Sequence, residues 1–130
     1  MPDETRLVAQ ARGLLKRFGM NAKESDYAGT LSGGQKRLVE IMRALMLRPK
    51  LLLLDEPMSG VHPSIVDEIA GYLENLRDEG MTILMVEHEL HMVDRLCDPV
   101  VVMAQGKVIG QGGMAALRKQ PEIVEAYLVG

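Results

Sequence analysis

Residues Arg6 to Phe18 place Leu7, Ala11, Leu14, Leu15 and Phe18 at helical spacing with Gly19 as a stop, a pattern that predicts one amphipathic helix. The stretch from Asn21 to Thr30 is polar and irregular and reads as a loop. Beyond it, Leu38, Ile41, Met42, Leu45 and Met46 form an apolar stripe that starts from Ser32 as N-cap. It runs until Pro49, whose ring and missing N–H forbid continuation. Leu51 to Leu54 is a continuous apolar run closed by Asp55-Glu56-Pro57. Pro49 and Pro57 leave too little length for a helix, so the run predicts a strand buried on both faces. Pro63 suits a first helical position, and Ile65, Ile69, Leu73 and Leu76 mark one face of a helix that lasts until Gly80. Thr82 to Val86 then reads as a second buried strand. Strand, helix, strand with apolar runs on both strands argues for a right-handed parallel crossover and for the α/β class.

Val100 to Met103 and Lys107 to Ile109 flank Ala104-Gln105-Gly106 and predict a small hairpin. Gly110, Gly112 and Gly113 are expected to break the chain. Two short helices follow, one near Met114 to Lys119 and one from Pro121, whose Ile123, Val124, Tyr127 and Leu128 offer an apolar side. A length of 130 residues sets a ceiling of one domain. Hydrophobic residues at 47% and charged residues at 25% exclude a disordered or fibrous class. The net charge of -3, with signs mixed along the chain, gives no reason to expect a nucleic-acid partner. The single Cys97 can form no internal disulfide and has no ligand-spaced neighbour for a metal, which fits a reduced setting. No signal peptide opens the chain, and no apolar run approaches the roughly 20 residues that span a bilayer.

Asp55-Glu56 at the end of a strand puts two carboxylates at the carboxyl edge of a parallel sheet, where open α/β folds bind ligands. Such a pair suits a Mg²⁺ ion at Asp55, leaving Glu56 to orient and polarise an attacking water. Leu31-Ser32-Gly33-Gly34-Gln35 at a helix start offers backbone N–H groups and a positive dipole end to a phosphate, and two glycines permit close approach. His88 follows the second strand, where an imidazole could contact a terminal phosphate or hold the water in place; His91 reads as a solvent-facing loop residue. His88-Glu89-Leu90-His91 looks like a zinc-protease motif, but its histidines are three apart where that motif needs four, so metal binding is discounted.

In this order the motifs resemble those of ATP-binding-cassette (ABC) transport ATPases: Leu31–Gln35 the signature motif, Leu51–Glu56 the Walker B motif, Ser59-Gly60-Val61-His62 the D-loop, and Val86-Glu87-His88 the switch-histidine region. The ending, with Glu122-Ile123-Val124 and Ala126-Tyr127-Leu128, looks like the ATPases of branched-chain amino-acid importers. The resemblance implies the C-terminal part of a P-loop NTPase domain: residues 1–48 the end of the helical subdomain, residues 49–130 the C-terminal half of the core. It further implies ATP and Mg²⁺ as cofactors, with Asp55 on the metal and Glu56 and His88 catalytic for a nucleotide on their own subunit. Ser32, Gly33 and Gly34 would meet the γ-phosphate held by an opposite subunit, with Gln35 near its ribose, and Ser59 to His62 would cross the interface. Expected partners are a second ABC ATPase subunit, identical or not, and membrane permeases, at the cytoplasmic face of the membrane.

Two departures stand out. His62 occupies a position where the family usually has Asp or Asn. A P-loop is absent: the only Gly-Lys pair, Gly106-Lys107, is followed by Val108 and has Val101 where the first Gly belongs. The resemblance therefore implies that the family's N-terminal half lies upstream of Met1. Alongside the reading as a fragment of a nucleotide-hydrolysing subunit stands another, a non-catalytic module lending its signature helix or interface to a partner ATPase.

Overall fold

The computed structural model describes residues 3–128, and the side chain of Leu128 lies outside what is described. Those residues divide into two units, one ending at Val86 and one beginning at Glu87.

In the first unit, helix α1 spans Glu4–Arg17 and begins earlier than its apolar pattern, because Asp3 Oδ1 accepts a hydrogen bond from the Thr5 N–H at 3.0 Å. It ends where predicted. Gly19, at φ 68°, donates to Lys16 O at 3.2 Å, and Met20 donates to Leu15 O at 2.7 Å, which satisfies the last carbonyls. The irregular stretch after it holds two single 3-10 turns, Asn21–Lys23 and Ala28–Thr30. Helix α2, Gly33–Leu45, stops short of Pro49; turns through Leu47 and Arg48, the latter at φ 50°, lead the chain out.

Strand β1, Leu51–Asp55, helix α3, Pro63–Asp78, and strand β2, Thr82–Val86, form the expected parallel crossover, with Leu53 opposite Leu84 and Asp55 opposite Val86. Leu38, Ile41 and Leu45 of α2, Leu52 of β1, and Ile69 and Leu73 of α3 are buried together with Phe18. The Phe18 ring packs against Tyr72 of α3 in a tilted arrangement, with centroids 4.8 Å apart and planes at 57°, which ties the end of α1 to α3.

The expectation of strands buried on both faces fails. Leu53 is 64% exposed and Leu84 59%, and Leu51 and Val86 lie open on the same face. Continuous apolar strands answer to two covering layers, and this unit supplies helices for one.

The second unit opens with helix α4, Leu90–Leu96, an element the hydrophobic pattern had not indicated; His91 is exposed as foreseen but helical, not in a loop. Strands β3, Val100–Ala104, and β4, Lys107–Gly112, form the antiparallel hairpin, turned by Gln105 and Gly106 with φ of 50° and 75°. Gly110 and Gly112 do not break the chain but lie inside β4. A Cβ on Gly110 would come within 2.5 Å of Ile123 Cδ1, so its bare backbone lets the two short helices α5, Met114–Leu117, and α6, Pro121–Ile123, close on the hairpin. After α6 a π-helical turn covers Val124–Leu128, and the Tyr127 hydroxyl donates to Met103 O.

Candidate functional site

The start of α2 is held by a reciprocal pair of bonds. The Gln35 N–H donates to Ser32 Oγ at 3.2 Å, and the Ser32 N–H donates to Gln35 Oε1 at 3.0 Å. Leu31 enters this cap from the preceding turn, its N–H bonded to Ala28 O. Gly33 and Gly34 are the first helical residues, and their N–H groups have no partner within the helix. The two glycines differ in surroundings. A Cβ on Gly34 would lie 2.6 Å from Ile65 Cγ2, so α3 packing alone requires glycine there; on Gly33 the nearest atom would be Gly60 O, at an ordinary 3.6 Å.

At the other end of the site, Asp55 closes β1 with an exposed side chain, and the Glu56 N–H extends the ladder by donating to Val86 O at 2.8 Å. Glu56 then turns the chain sharply off the strand at φ 46°, in the left-handed region that costs a non-glycine residue about 1–3 kcal/mol. Tight turns follow, with Ser59 donating to Glu56 O at 3.0 Å and Val61 to Met58 O at 3.3 Å. Arg37 of α2 reaches this loop: its guanidinium donates to the carbonyl oxygens of Glu56, Pro57 and Ser59.

His62 ends the loop as the N-cap of α3. Its Nδ1 accepts from the Ser64 N–H at 3.2 Å, so the ring proton sits on Nε2. Nδ1 of histidine is as many bonds from Cα as Oδ1 of Asp or Asn, and the departure noted in the sequence therefore keeps the acceptor those residues would offer. The first unit thus brings together Ser32 to Gln35, Asp55, Glu56 and the loop from Ser59 to His62.

His88 belongs to the second unit. Its side chain is 73% exposed, its N–H donates to Glu87 Oε1 at 3.1 Å, and its Nδ1 lies 3.6 Å from that oxygen. The Glu87 side chain is only 2% exposed, and its Oε2 has no hydrogen-bond partner among the described residues.

No three His, Cys, Asp or Glu side chains gather as a metal cage among the described residues. The single exposed carboxylate of Asp55 does fit Mg²⁺, which takes one or two protein carboxylates and completes its shell with phosphate and water.

Sequence reasoning missed Arg37. Its spacing from Glu40, with Nε 3.1 Å from Glu40 Oε2, carries only the signal of an ordinary surface ion pair on a helix.

The profile of the ABC transporter family matches residues 3–59. The chain is 39% identical to the methionine import ATP-binding protein MetN of Staphylococcus haemolyticus over 92% of its own length and 35% of that protein's. It is 36% identical to the probable branched-chain amino acid transport ATP-binding protein LivG of Methanocaldococcus jannaschii, over 98% of this chain and 51% of that one. Among solved structures, the ADP conformation of MJ1267, an ATP-binding cassette of an ABC transporter, is similar with a TM-score of 0.88 at 35% identity, over 99% of this chain and 52% of that one. The chain spans about a third to a half of the length of these relatives.

Proposed function

We propose, from the premise that this chain belongs to the ABC transporter ATP-binding family, that it is the C-terminal part of an ATP-hydrolysing domain that powers solute import. Residues 1–48 would end its helical subdomain and residues 49–130 form the C-terminal half of its nucleotide-binding core. The observation that carries this reading is the packing of the Ser32–Gln35 helix start beside the loop that follows Asp55 and Glu56.

In this reading the Gly33 and Gly34 N–H groups and the Ser32 hydroxyl face the γ-phosphate of a nucleotide held by an opposite subunit, with Gln35 toward its ribose. Asp55 would hold Mg²⁺, which when bound neutralises charge on the transferring phosphate. Glu56 accepts a hydrogen bond from the attacking water and orients it. His88 donates to a terminal phosphate oxygen, and Ser59 to His62 cross to the other subunit.

Relatives named for methionine, cystine and branched-chain amino acids support amino acids as the solute class. The Glu122 to Leu128 ending favours the branched-chain group. Attachment at the cytoplasmic face would come through permease subunits, and no helix among the described residues is long and apolar enough to cross a membrane.

A second reading is a module that lends its helix start to a partner ATPase without turning over nucleotide itself, for which the capped start of α2 is all that is needed. Both readings make the same trans assignment, which is tested by pairing the chain with an intact ABC subunit and following hydrolysis at that subunit's P-loop. Ser32→Arg should lower turnover on the order of 100-fold, the usual loss when a donor to developing charge is removed. Glu56→Gln should leave that site nearly unchanged. Loss of turnover with Glu56→Gln and not with Ser32→Arg would sink the trans assignment. Hydrolysis by the chain alone, abolished by Glu56→Gln, would sink the module reading.

A further inference from the structure

Arg37 points out of its own helix and into the loop that follows β1. Its Nη1 donates to Glu56 O at 3.2 Å and to Pro57 O at 2.5 Å, and its Nη2 to Ser59 O at 3.1 Å, while Nε keeps the Glu40 contact. All three nitrogens are engaged, and the side chain is only 25% exposed. A planar fork spreads fixed donors over carbonyls at separate points of the loop, where an ammonium would bring its donors from a single atom on a flexible stem.

The loop needs such a tether. Glu56 stands at a left-handed φ of 46°, and its carbonyl accepts from both Ser59 and Arg37, so the turn is closed from two sides. One residue past Ser59, the Gly60 carbonyl lies against Gly33. The contacts therefore form a ring: along α2 from Gly33 to Arg37, across to residues 56–59, and back through Gly60 to Gly33.

We propose that Arg37 is a positioning residue that fixes the Glu56–Gly60 loop and the Ser32–Gly34 helix start as one rigid body, so that groups serving the two nucleotides of a dimer move together. The proposal rests on the reading above, in which Ser32 to Gly34 serve the partner's nucleotide and Glu56 its own subunit's. Charge-assisted bonds to three carbonyls of the loop, those of Glu56, Pro57 and Ser59, resist its rotation in a way that the single Ser59 to Glu56 turn bond does not. Arg37 touches none of the reacting atoms; it acts by holding the main chain that carries them.

Two measurements test this. In the first, amide hydrogen exchange is followed on the purified chain. Arg37→Gln should speed exchange at Ser59 and Val61 and at Gln35 and Lys36 together, by about tenfold, as loss of one or two net hydrogen bonds allows. Exchange in the middle of α3, at Ile69 and Leu73, should not change, and Arg37→Lys should fall between. Faster exchange in the loop alone, a rise spread evenly through α3, or no change would each overturn the proposal.

In the second, the chain is paired with an intact ABC subunit. Arg37→Gln should lower kcat at the partner's P-loop about tenfold, the same loss of restraint read as rate, with KM for Mg-ATP nearly unchanged and partial rescue by Arg37→Lys. Ser32→Arg is the control. If Ser32→Arg stops turnover and Arg37→Gln does not, the positioning role is wrong while the trans assignment stands. If Ser32→Arg has no effect, the premise has failed and the coupling with it.

Discussion

A methyl group added to Gly34 would sit 2.6 Å from Ile65 Cγ2 and 3.1 Å from its Cβ, whereas one added to Gly33 would meet only Gly60 O at 3.6 Å. Ile65 is β-branched, so it has few rotamers into which to withdraw. Gly34→Ala should therefore destabilise the chain by about 1–3 kcal/mol through overpacking, less up to about 1 kcal/mol from improved helix propensity. Gly33→Ala should be neutral or slightly stabilising. Urea midpoints followed by far-UV circular dichroism separate the two, and equal midpoints would contradict the close packing of α2 on α3. The adjacent glycines looked alike in the sequence, where both suggested close approach of an anion. Only the packing partner, which lies 31 positions along the chain from Gly34 at Ile65, tells them apart. Arg37 was illegible for the same reason: its acceptors are main-chain carbonyls, which leave no mark in a sequence.

Tyr72 joins two elements. Its ring packs at a tilt on Phe18 at the end of α1, and its hydroxyl donates to Glu68 Oε1 one turn back on α3 at 3.2 Å. Burial, then the Glu68 charge, then that hydrogen bond raise its pKa above the ordinary phenol value of 10.0. A raised folded-state pKa means that the folded chain holds the proton more tightly than the unfolded one. The contribution is thus fully present below the unfolded pKa and is lost as pH rises through the folded one. Stability of the unsubstituted chain should fall between about pH 8 and about pH 11 by more than that of Tyr72→Phe, read as the shift in urea midpoint. Equal shifts would remove Tyr72 from the account.

Elements with strong end signals were legible: α2 from Ser32, α3 from Pro63 and the stripe to Leu76, the hairpin from its Gln105-Gly106 turn. Helix α4 was not, because seven residues with only Met92 and Val93 buried carry little periodicity. The strands were misjudged on one face because an apolar run states what it must be covered by, not whether the same unit supplies the cover.

At the scale of the whole molecule, that open face is the feature with the widest effect. Leu53 and Leu84 are direct neighbours across the β1–β2 pair, and Leu51 and Val86 extend the patch along the strands. Soluble monomers seldom leave such a surface uncovered. The purified chain should self-associate in sedimentation velocity, and Leu53→Lys with Leu84→Lys should shift it toward monomer without loss of helical signal. A monomer at high concentration before any substitution would contradict this. A different surface sets the terms on which two copies could meet through α2. The bonds that close the helix start take up one lone pair of each side-chain oxygen, Ser32 Oγ by the Gln35 N–H and Gln35 Oε1 by the Ser32 N–H. What remains is rich in donors: the Ser32 hydroxyl proton, the Gln35 amide hydrogens and the first N–H groups of the helix outnumber the lone pairs left beside them. Two such ends would leave donors over if they met directly. An oxygen-rich anion brings the lone pairs that this end lacks, so contact between copies at this surface should tighten when such a ligand is bound.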